Sequence, residues 1–307
     1  MIEGEDHGRL LAEAEGNGRC DTTQDAVAIG DGRSLSYVEA GQGGDVVLIH
    51  GTLVTMDDMR LGPMPALAQR FHVVAFDRPG HGASEAIRFA DASLWNHVEA
   101  IRAAVTALGL QRPVICGHSS GGAVALAYGL AYPDEIAGVV ALAPICFPEP
   151  RLETVLFGLR SVPWFGDALS RANHRSSDPL LLPLLWNAMF LPQLMPDRFA
   201  AGFPFGRAGD ARRLIAEGEN AVAMASDLAR SVALYSSCRV PVHILCGDAD
   251  LVVNTFLHGL PASRLIPGAR FTMVPGMGHM LHHFRADAVG NAIEAFSRPL
   301  PEGAAVR

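Results

Sequence analysis

The sequence predicts an α/β fold built on a mainly parallel sheet, and two observations carry that reading. Short, continuous apolar runs at residues 46–49, 73–76, 114–116, 137–145, 240–246 and 271–274 have the length and character of strands covered on both faces. Helical patterns and polar, glycine-rich turns alternate with these runs, and that alternation is the mark of parallel strands joined by crossovers.

In chain order, residues 1–24 are polar and rich in Gly and Glu and read as a loosely held tail. Residues 25–40 alternate apolar and polar side chains around Gly30-Asp31-Gly32, a β-hairpin signal. The strand at 46–49 leads through a loop and a helix ending near Arg70 to the strand at 73–76. Residues 94–110 place Leu94, Val98, Ile101, Val105 and Leu108 on one helical stripe. The strand at 114–116 runs through a tight turn into a small-residue helix that ends before Pro133. Three more strands and a last helix over about 281–296 complete the pattern. The expected core is therefore residues 25–145 and 240–307. Residues 146–239 hold no clear buried strand, several prolines and short helical patterns rich in Leu, Trp, Phe and Met. They read as a helical cap domain inserted over the carboxyl edge of the sheet.

Composition narrows the function. The chain has 307 residues, about half of them apolar, enough for one large core or a core plus an insertion. A net charge of −8 without a basic cluster argues against nucleic acid as a partner. Five irregularly spaced cysteines do not form a disulfide framework, and Cys116 and Cys246 read as buried strand thiols. The acidic N-terminus lacks a signal-peptide h-region. The most apolar stretch, residues 180–195, is broken by Pro183 and Pro192 and is too short to span a bilayer. The expectation is a cytoplasmic protein with no membrane partner.

The chemistry gathers at Gly117-His118-Ser119-Ser120-Gly121, a G-x-S-x-G pattern between a strand and a helix. A serine at the tip of such a turn is strained, and its neighbours two positions away must be small. Only Ser119 has glycine on both sides at that spacing, because position 118 is His118. A serine hydroxyl needs a base, and the base needs an orienting acid. His279 follows the strand at 271–274, and Asp248 and Asp250 follow the strand at 240–246. Asp248 directly follows Gly247 and belongs to the turn, whereas Asp250 lies further along, where the loop can reach back towards His279. Asp250 is the expected acid and Asp248 its alternative. Two backbone N–H groups are expected to form an oxyanion hole, one from Ser120 and one from Thr52, after the first buried strand. Asp77, Arg78, His81 and Ser84 read as a loop held by its own hydrogen bonds. His282 and His283 lack a nearby carboxylate or cysteine, so they read as a solvated helix start; no metal site is expected.

These residues give the chain a resemblance. His50-Gly51, the run from Asp77 to Ser84, Gly117 to Gly122, Gly247 to Asp250 and Gly278-His279 resemble, in order, the motifs of the α/β-hydrolase fold superfamily, in particular its bacterial members with a helical cap. The resemblance covers residues 26–298. It implies an eight-stranded, mostly parallel sheet and a Ser119–Asp250–His279 triad, with the acid three residues after the glycine. Members with an aspartate nucleophile are dehalogenases and epoxide hydrolases, and Ser119 argues against both chemistries.

The expected activity is a cofactor-free serine hydrolase acting on an ester-like bond of a small molecule. Lactonase, carbon–carbon bond hydrolase, amidase and perhydrolase activities fit the same triad, and a non-catalytic receptor fits the same fold. Ten apolar residues between Leu181 and Met195 exceed what one short helix needs for docking, so part of that surface, Trp186 and Phe190 included, is expected to line an acyl pocket. Packing of the insertion against the sheet is the competing use for them.

Overall fold

The computed structural model describes residues 23–297. The proposed tail falls outside them except for residues 23 and 24, which open the first strand. Eight strands form one sheet: β1 (Thr23–Gly30), β2 (Arg33–Ala40), β3 (Gly44–Ile49), β4 (Phe71–Phe76), β5 (Val114–His118), β6 (Gly138–Leu142), β7 (Val242–Gly247) and β8 (Arg270–Val274). Their order is β1-β2-β4-β3-β5-β6-β7-β8. β1 and β2 are antiparallel to their neighbours, and every pairing from β4 onward is parallel. The β1–β2 turn puts Gly30, Asp31 and Gly32 at positive φ, as a tight hairpin turn demands.

Both sheet faces are apolar because successive strand residues point to opposite sides. Val47 and Ile49 of β3, Val74 and Phe76 of β4, and Ile115 of β5 belong to one buried cluster. It is completed by α3 (Leu94–Ala107) and α4 (Ser120–Ala131). Val46, Leu48, Val73, Ala75, Val114 and Cys116 belong to the opposite cluster. There they meet α1 (Met56–Leu61), α2 (Met64–Leu67) and α12 (Ala286–Ser297). The last helical stretch is divided: a 3₁₀ turn over Leu281–His283 precedes α12.

Between β6 and β7 the described residues form helices only: α5 (Leu152–Phe157), α6 (Phe165–Arg175), α7 (Asp178–Phe190), α8 (Asp197–Gly202), α9 (Phe205–Ala208) and α10 (Ala211–Leu234). All but α6 contribute to a third apolar cluster that reaches down to Leu53, Val54 and Met280 of the core loops. A short α11 (Gly259–Leu265) lies between β7 and β8. No helix among the described residues is long and apolar enough to cross a membrane.

Several histidines are sealed inside this fold. Burial holds His50, His97 and His118 well below the ordinary imidazole range, and it pushes His283 down to about 4. An unfolded histidine takes up its proton near pH ~6.5. As pH falls from there towards 4, the unfolded chain therefore binds protons that the folded chain refuses, and stability falls. Asp77, raised to about 6 by burial, works the other way, because the folded chain keeps a proton that the unfolded chain has released. Four imidazoles outweigh one carboxyl. Unfolding at pH 5 is predicted to take up protons, so Tm falls between pH 7 and pH 5, read by calorimetry across that range. A Tm that stays flat between pH 7 and pH 5 contradicts the prediction.

Candidate active site

β5 delivers Ser119 to the middle of the sheet's carboxyl edge. Ser119 has φ 56° and ψ −118°, a conformation that costs energy for any residue with a Cβ. Its N–H donates to Leu142 O at 2.9 Å, and its carbonyl accepts from Ala123 and Ile145 at 3.2 and 3.3 Å. The flanking glycines are required by space. A Cβ on Gly117 would sit 2.0 Å from Gly121 O, and one on Gly121 would sit 2.4 Å from the carbonyl oxygens of Ile49 and His50. Because α4 starts at Ser120, its first N–H groups have no intrahelical acceptor and present the positive end of the helix next to Ser119.

The loops after β7 and β8 bring Asp250 and His279 together. His279 Nδ1 lies 2.9 Å from Asp250 Oδ2, with both side chains 1% exposed. Asp250 Oδ1 also accepts the N–H groups of Val252 and Val253 at 2.8 and 2.9 Å. Burial works to raise the Asp250 pKa, but His279 and these two donors outweigh it and hold the carboxyl below its usual range. Asp248 is exposed and spends its carboxylate on Gly276 N–H at 2.6 Å, not on its own backbone. His118, beside the serine, donates its Nε2–H to His279 O at 3.0 Å and so supports that loop from below.

The loop after β3 reaches the serine from the other side. A Cβ on Gly51 would press on Ser119 Cβ and His118 Nδ1 at 3.2 Å. Thr52 Oγ1 donates to Ser120 Oγ at 3.1 Å, so the two expected oxyanion residues touch. Asp77 accepts from Met56 and Ala83 N–H, and Ser84 donates to Asp77 O. Arg78 departs from a purely local role: its Nη2 donates to Gly51 O at 2.9 Å.

Ser119, His279, Thr52 and Leu53 open into a cavity of about 320 Å³. Its walls come from the inserted helices through Leu152, Leu156, Phe157, Leu185, Met189 and Leu191, and from Leu251 and Val252. One side is polar, where Arg151 bonds Glu149 and Glu153 at 2.8 and 3.0 Å. Trp186 and Phe190 are a correction: neither lines this cavity. Leu182, Trp186 and Phe190 follow one another at four-residue spacing and pack into the insertion's own core, while Leu185 and Met189 take the adjacent stripe facing the serine. Trp186 Nε1–H instead donates to Leu53 O at 2.9 Å.

His282 and His283 are a second correction. Both are buried, and both donate Nε2–H to the buried carboxylate of Asp58 in α1, at 3.1 and 2.7 Å. Burial raises the Asp58 pKa, and the two imidazoles reverse that and hold it well below the usual range. Asp58, His118 and His282 bring ligand atoms within 4.8 Å of one another, the donor set and spacing of a cation site. In this arrangement the Asp58 carboxylate is engaged by both imidazoles and His118 Nε2–H by the His279 carbonyl, so the cluster fastens the His279 loop to α1.

Comparison with known proteins agrees with this fold. The chain is 28% identical over 258 residues to an uncharacterized protein of Mycobacterium tuberculosis, covering 80% of this chain and 72% of the relative. It is 26% identical over 295 residues to a bifunctional esterase/perhydrolase of Acinetobacter calcoaceticus, covering 87% of this chain and 97% of that one. A bromoperoxidase from Bacillus anthracis superposes with a TM-score of 0.70 at 18% identity, covering 89% of this chain and 99% of that one, a likeness of fold. The family model described as the alpha/beta hydrolase fold matches residues 45–286, and the chain belongs to that family.

Proposed function

We propose that the chain is a serine hydrolase that cleaves a small, apolar ester-like substrate through an acyl-enzyme. The Asp250–His279 pair, buried beside the strained Ser119, is the observation that carries this reading. His279 removes the proton from Ser119 Oγ as the oxygen attacks the carbonyl. Asp250, ionised and anchored by Val252 and Val253, holds the imidazole in the tautomer with Nδ1–H and balances its positive charge. The N–H groups of Thr52 and Ser120 receive the oxyanion, with the start of α4 adding its positive end. His279 then gives the proton to the leaving group, and water repeats the sequence in reverse to free the acid. The inserted helices act as a cap whose apolar wall holds the acyl group.

The relative that is an esterase and perhydrolase favours a second use of the same acyl-enzyme. Hydrogen peroxide in place of water takes the acyl group to give a peracid and regenerates the serine hydroxyl. Peracid formation from a short ester and hydrogen peroxide tests it, and hydrolysis alone rejects it.

Ser119→Ala is predicted to remove hydrolysis of p-nitrophenyl esters by several orders of magnitude while the fold and Tm are kept. Wild-type-like turnover in clean Ser119→Ala protein refutes the mechanism. Asp250→Asn is predicted to cost up to about 10⁴ in kcat, because the amide favours the wrong imidazole tautomer, while Asp248→Asn stays close to wild type. The reverse ranking moves the acid to Asp248. The cavity predicts that kcat/KM rises from acetyl to butyryl and hexanoyl esters, by roughly 3- to 10-fold for each methylene that is buried. A steady fall along that series rules out the acyl wall.

A further inference from the structure

Leu53 is the residue of the oxyanion loop that its sequence explains least. It is a buried leucine at φ 60°, a left-handed conformation that a branched side chain holds only when its surroundings impose it. Both of its backbone polar groups are taken by side chains from the inserted helices. Its N–H donates to Glu217 Oε1 of α10 at 2.5 Å, and its carbonyl accepts Trp186 Nε1–H of α7 at 2.9 Å. One peptide earlier, Gly51 O accepts from Arg78 Nη2 at 2.9 Å and His50 Nδ1 at 2.8 Å. In a trans peptide the carbonyl and the following N–H point opposite ways. Fixing Gly51 O therefore aims Thr52 N–H away from Arg78.

From these contacts we infer that Glu217 and Trp186 are positioning residues for the oxyanion hole, so the inserted helices set the geometry of Thr52 N–H as well as covering the substrate. The inference rests on the serine-hydrolase reading for its kinetic consequence. Thr52 lies between two held peptides: the core grips the one before it, and the insertion grips the one after it. Glu217 joins the two grips. Its carboxylate is 3% exposed, lies 4.0 Å from Arg78 Nη2 and 3.1 Å from His81 Nε2, and keeps its charge against burial through those neighbours. The insertion could not swing clear of the core without breaking both of these hydrogen bonds to Leu53.

The test uses the full chain with Glu217→Ala, Glu217→Gln and Trp186→Phe. Glu217→Gln keeps an acceptor for Leu53 N–H, and Trp186→Phe keeps the ring but loses the donor. Glu217→Ala and Trp186→Phe are expected to lower kcat by about 10- to 100-fold with KM changed by less than about threefold, and Glu217→Gln to restore most of the loss. Affinity for a trifluoromethyl ketone, which forms an oxyanion on Ser119, is expected to fall in parallel, while affinity for the product carboxylate holds. Amide hydrogen exchange in the peptide covering residues 50–56 is expected to speed up in the same two variants. Folded variants with wild-type exchange, kcat and ketone affinity overturn the inference. If Glu217→Ala fails to fold, Trp186→Phe decides alone. If wild-type protein shows no hydrolysis, the functional reading fails, and the exchange arm still decides whether the insertion holds the loop.

Discussion

The backbone of Ser119 is the constraint on which the rest of the site depends. With Ser119 at positive φ between β5 and α4 the chain crosses itself closely, and Gly117 and Gly121 leave no room for even one extra carbon there. That crossing raises the hydroxyl above the sheet edge and puts a helix start behind it. It also packs Gly121 against the carbonyls of Ile49 and His50, which fixes where the loop carrying Thr52 leaves β3. The position of Ser119, the helix end and the loop after β3 therefore share one geometric cause.

Around that point the fold supplies a dry electrostatic setting. Asp250 and Asp58 are buried carboxylates kept ionised by imidazole and N–H partners, one on each side of the His279 loop. His118 lies between the imidazoles of His279 and His282, with ring centres 4.6 and 4.3 Å away, and donates to the His279 backbone. Insertion residues reach the same loop from above. Gln193 accepts Gly278 N–H at 2.9 Å and donates to Gly276 O at 2.6 Å. In the proposed mechanism, a histidine fixed from both sides spends little energy on reorganisation when charge develops.

Much of this was legible in the sequence, and the parts that were not share a physical reason. Strands with apolar side chains on both faces announce themselves as continuous runs, so the sheet could be read locally. Ser119, Asp250 and His279 could be singled out because each follows such a run at a strand end, and the fold brings Asp250 against His279. The roles of Asp58 and Glu217 could not be read, because their partners lie 224 and 164 residues away and neither carries a motif. Absence of a nearby carboxylate in sequence misplaced His282 and His283 in solvent. In α7 the residues from Leu180 to Phe190 are so uniformly apolar that no polar face shows which stripe points inward. Trp186 and Phe190 were therefore indistinguishable from Leu185 and Met189 until the helix was docked.

In the proposed mechanism a covalent acyl group passes through Ser119. Acid-quenching the protein early in its reaction with p-nitrophenyl butyrate, followed by peptide mass spectrometry, tests it most directly. The expected result is one butyryl group per chain, carried by the Ser119 oxygen, and its loss when quenching is delayed. An unmodified chain throughout turnover, or an acyl group on Ser120 or any other residue, would contradict it.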